Sequence, residues 1–148
     1  AEKFGMYYID ENGEKALPYI IHRTSLGCYE RTLAYLIEKY AGALPTWMSP
    51  EQVRVLPLSE RLLDHAAEVT ATLTAAGIRA ELDERNEKMG YKIREAQMQK
   101  VPYMLIIGDR EAETGCVSVR NRKDGDLGSM PLACFIAKIG QEIAEKAR

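Results

Sequence analysis

Tyr103-Met104-Leu105-Ile106-Ile107 is an apolar run of five residues with no charged side chain in it. A strand with one wet face alternates apolar and polar positions, so an unbroken run belongs in the middle of a sheet covered on both sides. The flanking sequence repeats a strand-then-helix pattern. Residues 52–58, with Val53, Val55 and Leu56, read as a strand, and 78–82 as a short second one. Between them, Ser59 is placed to cap a helix whose inner stripe is Leu62, Leu63, Ala66, Val69, Leu73 and Ala76, closed by Gly77. Residues 91–100 read as a short helix with a rich polar face. Residues 115–121 alternate through Cys116, Val117, Ser118 and Val119 and read as another strand. Pro131 suits the first turn of a last helix with Leu132, Phe135, Ile136, Ile139 and Ile143 on its inner face. Alternating strands and helices predict a three-layer α/β domain. Its sheet is mixed and roughly five-stranded, with 103–107 and 115–121 forming an antiparallel pair.

Towards the N-terminus the pattern changes. Residues 6–9 and 17–21 are apolar and β-prone around residues 10–15, where Asn12-Gly13 supplies a hairpin turn. Gly27 precedes Tyr29, Leu33, Leu36, Ile37 and Tyr40 at helical spacing, and Gly42 and Pro45 end that helix. Residues 43–50, with two prolines and the lone Trp47, read as a stiff connector and place a domain boundary between 1–46 and 47–148.

The 148 residues suit one compact domain, or one domain with a short arm, and 46% apolar residues suffice for a real core. The longest apolar stretches are too short to cross a bilayer, and a chain opening Ala1-Glu2-Lys3 shows no secretion signal. Three scattered cysteines (Cys28, Cys116, Cys134) suggest no disulfide framework, and hence a cytoplasmic setting. The net charge of −2 is unevenly spread. Acids dominate residues 60–84, whereas Arg85, Lys88, Lys92, Arg94 and Lys100 face only Glu87 and Glu95 in the next stretch. Arg120, Arg122 and Lys123 form a second basic cluster. If the two clusters meet, they make a local positive surface that attracts phosphates. The same charges also suit plain solvation of exposed faces.

The run His22-Arg23-Thr24-Ser25-Leu26-Gly27-Cys28-Tyr29-Glu30-Arg31 is the most specific local signal. Glycine allows close backbone approach, and an arginine in the first helical turn can grip a phosphate or stack on a base. Spacing alone favours a plain strand-to-helix turn with a surface Glu–Arg pair. The run resembles motif 3 of class II aminoacyl-tRNA synthetases in the form found in threonyl-tRNA synthetases, with Tyr40-Ala41-Gly42-Ala43-Leu44-Pro45-Thr46-Trp47 similar to the connector that follows it there. Further ordered matches cover nearly the whole chain: 83–95, Val101-Pro102-Tyr103-Met104, Val119-Arg120-Asn121-Arg122 and Asp126-Leu127-Gly128-Ser129-Met130.

This resemblance implies an anticodon-binding domain preceded by a β-hairpin and helix left from a class II catalytic domain. It implies ATP-binding roles for Arg31, Gly27 and Cys28, the last usually serine in the family, and a zinc-ligand role for His22. Anticodon contacts are implied for Asn86, Arg94, Lys100, Glu111 and Arg120, with Lys100, often arginine in relatives, on the RNA backbone. The residue types fit: asparagine offers donor and acceptor, arginine a planar fork, and Glu111 an acceptor for a guanine amino edge. Each of these positions also suits a solvated side chain or a local salt bridge.

The family reaction joins threonine to the 3′ end of its tRNA through an aminoacyl-adenylate, using ATP with magnesium and a zinc-held amino acid. The other catalytic motifs and the remaining zinc ligands, a cysteine and a histidine, would lie upstream of this stretch. These 148 residues alone are therefore expected to be inactive, to hold no cofactor and to be monomeric, whereas the full-length family enzyme is a homodimer. The expected partner is the anticodon stem-loop of threonine tRNA, with no role for DNA or membrane. A free-standing tRNA-binding accessory protein and a generic α/β interaction domain are the alternatives. Two other features carry little: Gly125-Asp126-Leu127-Gly128-Ser129 lacks the lysine of a P-loop and reads as a turn, and His65 reads as a partly buried helix residue.

Overall fold

The chain is described by a computed structural model over residues 1–24 and 27–147; Ser25 and Leu26 of the motif-3-like run lie outside the described residues. Two compact units divide at residues 34 and 35.

The first unit holds a short antiparallel hairpin, β1 (Tyr8–Ile9) with β2 (Lys15–Ala16), closed through Asp10, whose carboxylate accepts the Asn12 and Glu14 N–H groups. Residues 17–21, expected as its second strand, form none; Pro18 has no N–H to give to a ladder there. Helix α1 (Tyr29–Tyr40) begins in this unit. Phe4, Tyr19 and Ile21 are 81, 98 and 89% exposed, so these apolar groups have no core of their own to enter.

The second unit is the expected three-layer domain. Its sheet runs β4 (Ala80–Leu82), β3 (Val53–Pro57), β5 (Tyr103–Ile107), β6 (Cys116–Asn121), β7 (Gly125–Pro131), the first three parallel and the last two antiparallel. From β3 the chain crosses through α2 (Leu63–Ala75) to β4, then returns through α3 (Met89–Met98) past β3 to β5. Crossovers keep one hand, so reversing direction moves the second helix to the other face of the sheet. Val53, Val55, Tyr103, Leu105, Ile107, Val117 and Val119 point towards α2 and α5 (Leu132–Ala144), where they meet Leu73, Phe135 and Ile139. Leu56 and Met104 point the other way, onto Ala96 of α3, with Ile93 and Ile106 at the margin. The unbroken apolar run of β5 is thus buried on both sides, as read from the sequence.

Three readings need correction. The Gly125 to Ser129 stretch is not a turn before a helix but most of β7, the fifth strand; Gly125 and Gly128 both have φ near +79°, and the β6–β7 register shifts between Ser118 and Arg120. Glycine at such a bulge accepts a backbone angle that other residues resist. Ser59 does not cap α2: a 3₁₀ turn (Glu60–Leu62) intervenes, and its Oγ is buried without a partner. A six-residue helix, α4 (Asp109–Thr114), fills the expected gap between β5 and β6.

Candidate nucleic-acid interface

The sheet face that carries α3 is only half covered. α3 packs over β3 and β5, whereas Val117 and Val119 of β6 alternate with Ser118 and Arg120, which point to the α3 side beyond the reach of α3; there α4 packs against β6 and takes the Ser118 hydroxyl through Glu111. Arg120 pairs in register with Met104, so it rises from the middle of that face. Its Nε is buried and has no hydrogen-bond partner.

Asn86 stands in the loop leading to α3, exposed, beside Leu58 and Ser59 at the carboxyl end of β3. Glu111, in the first turn of α4, lies at the carboxyl end of β5. Its carboxylate accepts the Gly108 N–H at 3.1 Å and the Ser118 hydroxyl at 2.8 Å, which fixes its direction onto the end of β6. A Cβ on Gly108 would come within 2.7 Å of that carboxylate, so a side chain there would displace it. The carboxyl ends of β3 and β5 are the place where the chain reverses its direction across the sheet, the usual ligand crevice of an open α/β sheet.

Arg94 is exposed on α3. Successive helical residues turn by about 100°. With Ile93 and Ala96 on the sheet, Glu95 and Gln99 fall on the β4 flank, where they line an acidic cavity, and Arg94 falls on the opposite, β6 flank. Arg94 and Arg120 therefore border the same flank of the α3 face, whereas Asn86 stands apart from them at the carboxyl end of β3. None of the three side chains makes a hydrogen bond or ion pair with another described residue, whereas most neighbouring cations are committed.

Those commitments correct the picture of one continuous basic surface. Lys92 is only 3% exposed, with Nζ on the Asp83 carbonyl at 3.1 Å. Arg85 clasps both Asp83 oxygens, at 2.9 and 2.6 Å, and reaches Glu95 at 2.7 Å. The guanidinium holds the Asp83 carboxyl below the usual carboxylate value. Together they brace the loop that presents Asn86. The cavity on this flank, about 490 Å³ and lined by Glu81, Asp83, Glu84 and Glu95 with Arg54 and Arg85, is predominantly acidic and repels a polyanion. Lys100 lies at the far end of α3, where its Nζ donates to the Ala41 carbonyl at 2.6 Å.

Residues 52–142 match the anticodon binding domain family. The chain belongs to that family. It is 61% identical over 146 residues to the threonine–tRNA ligase of Clostridium perfringens, covering 99% of this chain, and 57% identical over 146 residues to that of Caldanaerobacter subterraneus. It spans 23% of the length of these curated relatives. A crystal structure titled as the RNA binding domain of threonyl-tRNA synthetase from Cryptosporidium parvum superposes with a TM-score of 0.74 at 32% identity, covering 95% of this chain and 36% of that one. A prolyl-tRNA synthetase from the same organism shares the fold, with a TM-score of 0.71 at 23% identity over 97% of this chain and 31% of that one.

In the N-terminal unit of this anticodon binding domain protein, Arg31 is exposed in the first turn of α1. Gly27 has φ +74° and gives its N–H to the Thr24 hydroxyl, and the Cys28 thiol donates to Glu30, lowering the pKa of that carboxyl. His22 is exposed, and no group of three His, Cys, Asp or Glu residues able to hold a metal occurs among the described residues. A zinc site is therefore not completed by these residues.

Proposed function

We propose that residues 47–148 hold the anticodon loop of threonine tRNA for a threonine–tRNA ligase, with residues 1–46 contributing to its ATP-dependent catalytic unit. The observation that carries this reading is Arg120, its Nε buried without a partner on the β6 flank of the α3 face, in a family named for anticodon binding; Arg94 on the same flank and Asn86 at the carboxyl end of β3 are likewise uncommitted among the described residues. Splayed bases of a single-stranded loop present their edges to such amides and guanidinium forks. Glu111, held at the carboxyl end of β5, accepts a base amino group with its remaining lone pairs. Lys100 would reach the RNA backbone only by leaving the Ala41 carbonyl. In this reading Arg31, Gly27 and Cys28 approach ATP and His22 is one ligand of a zinc ion whose other ligands lie outside these residues. The free-standing accessory reading leaves the motif-3-like run without a use.

The test is a titration of the chain with the anticodon stem-loop of threonine tRNA and with a loop altered at one anticodon base, both at the same salt. The altered loop should bind about 5–150-fold more weakly, the range of one lost base contact. Equal affinities would refute the reading. Charging of tRNA by the isolated chain is expected to be absent, because motif 3 alone assembles no catalytic site.

A further inference from the structure

The connector between α1 and β3 is bound to the sheet domain through its own backbone carbonyls. Arg122, just past the end of β6, donates Nη1 to the Lys100 carbonyl at 2.5 Å and Nη2 to the Leu44 and Ala43 carbonyls at 2.7 and 3.3 Å. Lys100, in the left-handed region at φ +61°, adds its ammonium to the Ala41 carbonyl. Gln52 donates to the Thr46 carbonyl at 2.9 Å, and Arg79 to those of Trp47 and Ser49 at 2.9 and 3.0 Å. The Thr46 and Tyr103 hydroxyls meet on Glu142 of α5. Carbonyls 41, 43, 44, 46, 47 and 49 are thus all satisfied by side chains, a dense set for a segment that composition marks as a linker.

Arg122 is the member of this set joined to the proposed reading strand. It lies two residues beyond Arg120, and its backbone N–H bonds the Pro102 carbonyl at the foot of β5. Burial lowers its guanidinium pKa, in keeping with a group taken out of water to serve the carbonyls. Both Arg122 and Lys100 bring positive charge to the C-terminal end of α1, where the helix dipole is negative.

We infer that Arg122 is a positioning residue: it locks the connector so that the strand bearing Arg120 and the exit of α1 move as one body, and it does not itself touch RNA. The second clause rests on the anticodon reading above; the first does not. The connector is then held as part of the sheet domain and does not behave as a flexible linker.

Arg122→Ala and Arg122→Lys separate the two possible roles of this cation. Amide hydrogen exchange at Gly42 and Ala43 should accelerate at least tenfold in both variants, since a lysine keeps the charge but cannot span three carbonyls, while exchange at Leu105 stays unchanged. Affinity for the stem-loop should remain within about twofold, with the same dependence on salt. Connector amides that keep their protection would overturn the locking role. A salt slope reduced by about one would overturn the second clause and make Arg122 a phosphate contact. Arg122→Lys keeps the test alive if the alanine variant does not fold. If the wild-type chain binds no RNA, the exchange measurement still decides the locking role.

Discussion

Replacing Arg120 with alanine is expected to weaken the matched anticodon loop about 5–150-fold, equivalent to ~1–3 kcal/mol, and to leave a mismatched loop nearly unaffected. The expectation follows from where the side chain starts. Arg120 rises from β6, whose backbone is held by β5 on one side and β7 on the other, so its fork is presented by a sheet and not by a loop. Its Nε is already out of water without a partner. A buried donor in that condition costs roughly 1–3 kcal/mol, a cost removed when an RNA acceptor arrives. Arg120→Lys keeps the charge but loses the fork, and should fall between wild type and alanine for the matched loop. Binding isotherms for both loops check this. Equal losses on matched and mismatched loops would show that Arg120 supplies only charge.

The largest loss of stability is expected from Phe135→Ala, about 3–5 kcal/mol. Phe135 is fully buried on α5 and meets the Tyr103 ring edge-on, with centroids 5.5 Å apart and planes at 74°. It packs in the cluster of Val117, Val119 and Leu105, on the sheet face away from Arg94 and Arg120. Its removal leaves a cavity under the central strands while the proposed RNA face keeps its side chains. Urea unfolding followed by circular dichroism should show a lower midpoint with an unchanged slope. Below the transition, discrimination between loops should be unchanged. A loss under 1 kcal/mol, or a collapse of discrimination in folded protein, would contradict this placement.

Much of the fold was legible because burial leaves a period in the sequence. The run Tyr103–Ile107 announced a strand covered on both sides, and Leu73, Phe135 and Ile139 fell where the helical stripes put them. What escaped was structure whose signal resembles something else. β7 carries two glycines that look like turn residues because a bulge and a turn demand the same positive φ. α4 is too short to show a helical period. Asn86, Arg94 and Arg120 are proposed as the candidate site only through family resemblance. A count of charges treated Lys92, Arg85 and Arg122 as equally available, whereas folding spends the first two on Asp83 and the third on the connector. Pairing across 59 or 78 positions, as between Lys100 and Ala41 or Arg122 and Leu44, leaves no local pattern to read.

The central claim, that the half-open face beside α3 receives RNA, is tested most directly by mapping backbone amide shifts in the NMR spectrum as the threonine anticodon stem-loop is added. The largest changes should cluster on Asn86, Arg94, Ser118 and Arg120, with α2, α5 and the acidic groove around Glu81 and Glu84 silent. A footprint centred on that groove or on α5, with Arg120 unmoved, would contradict the account.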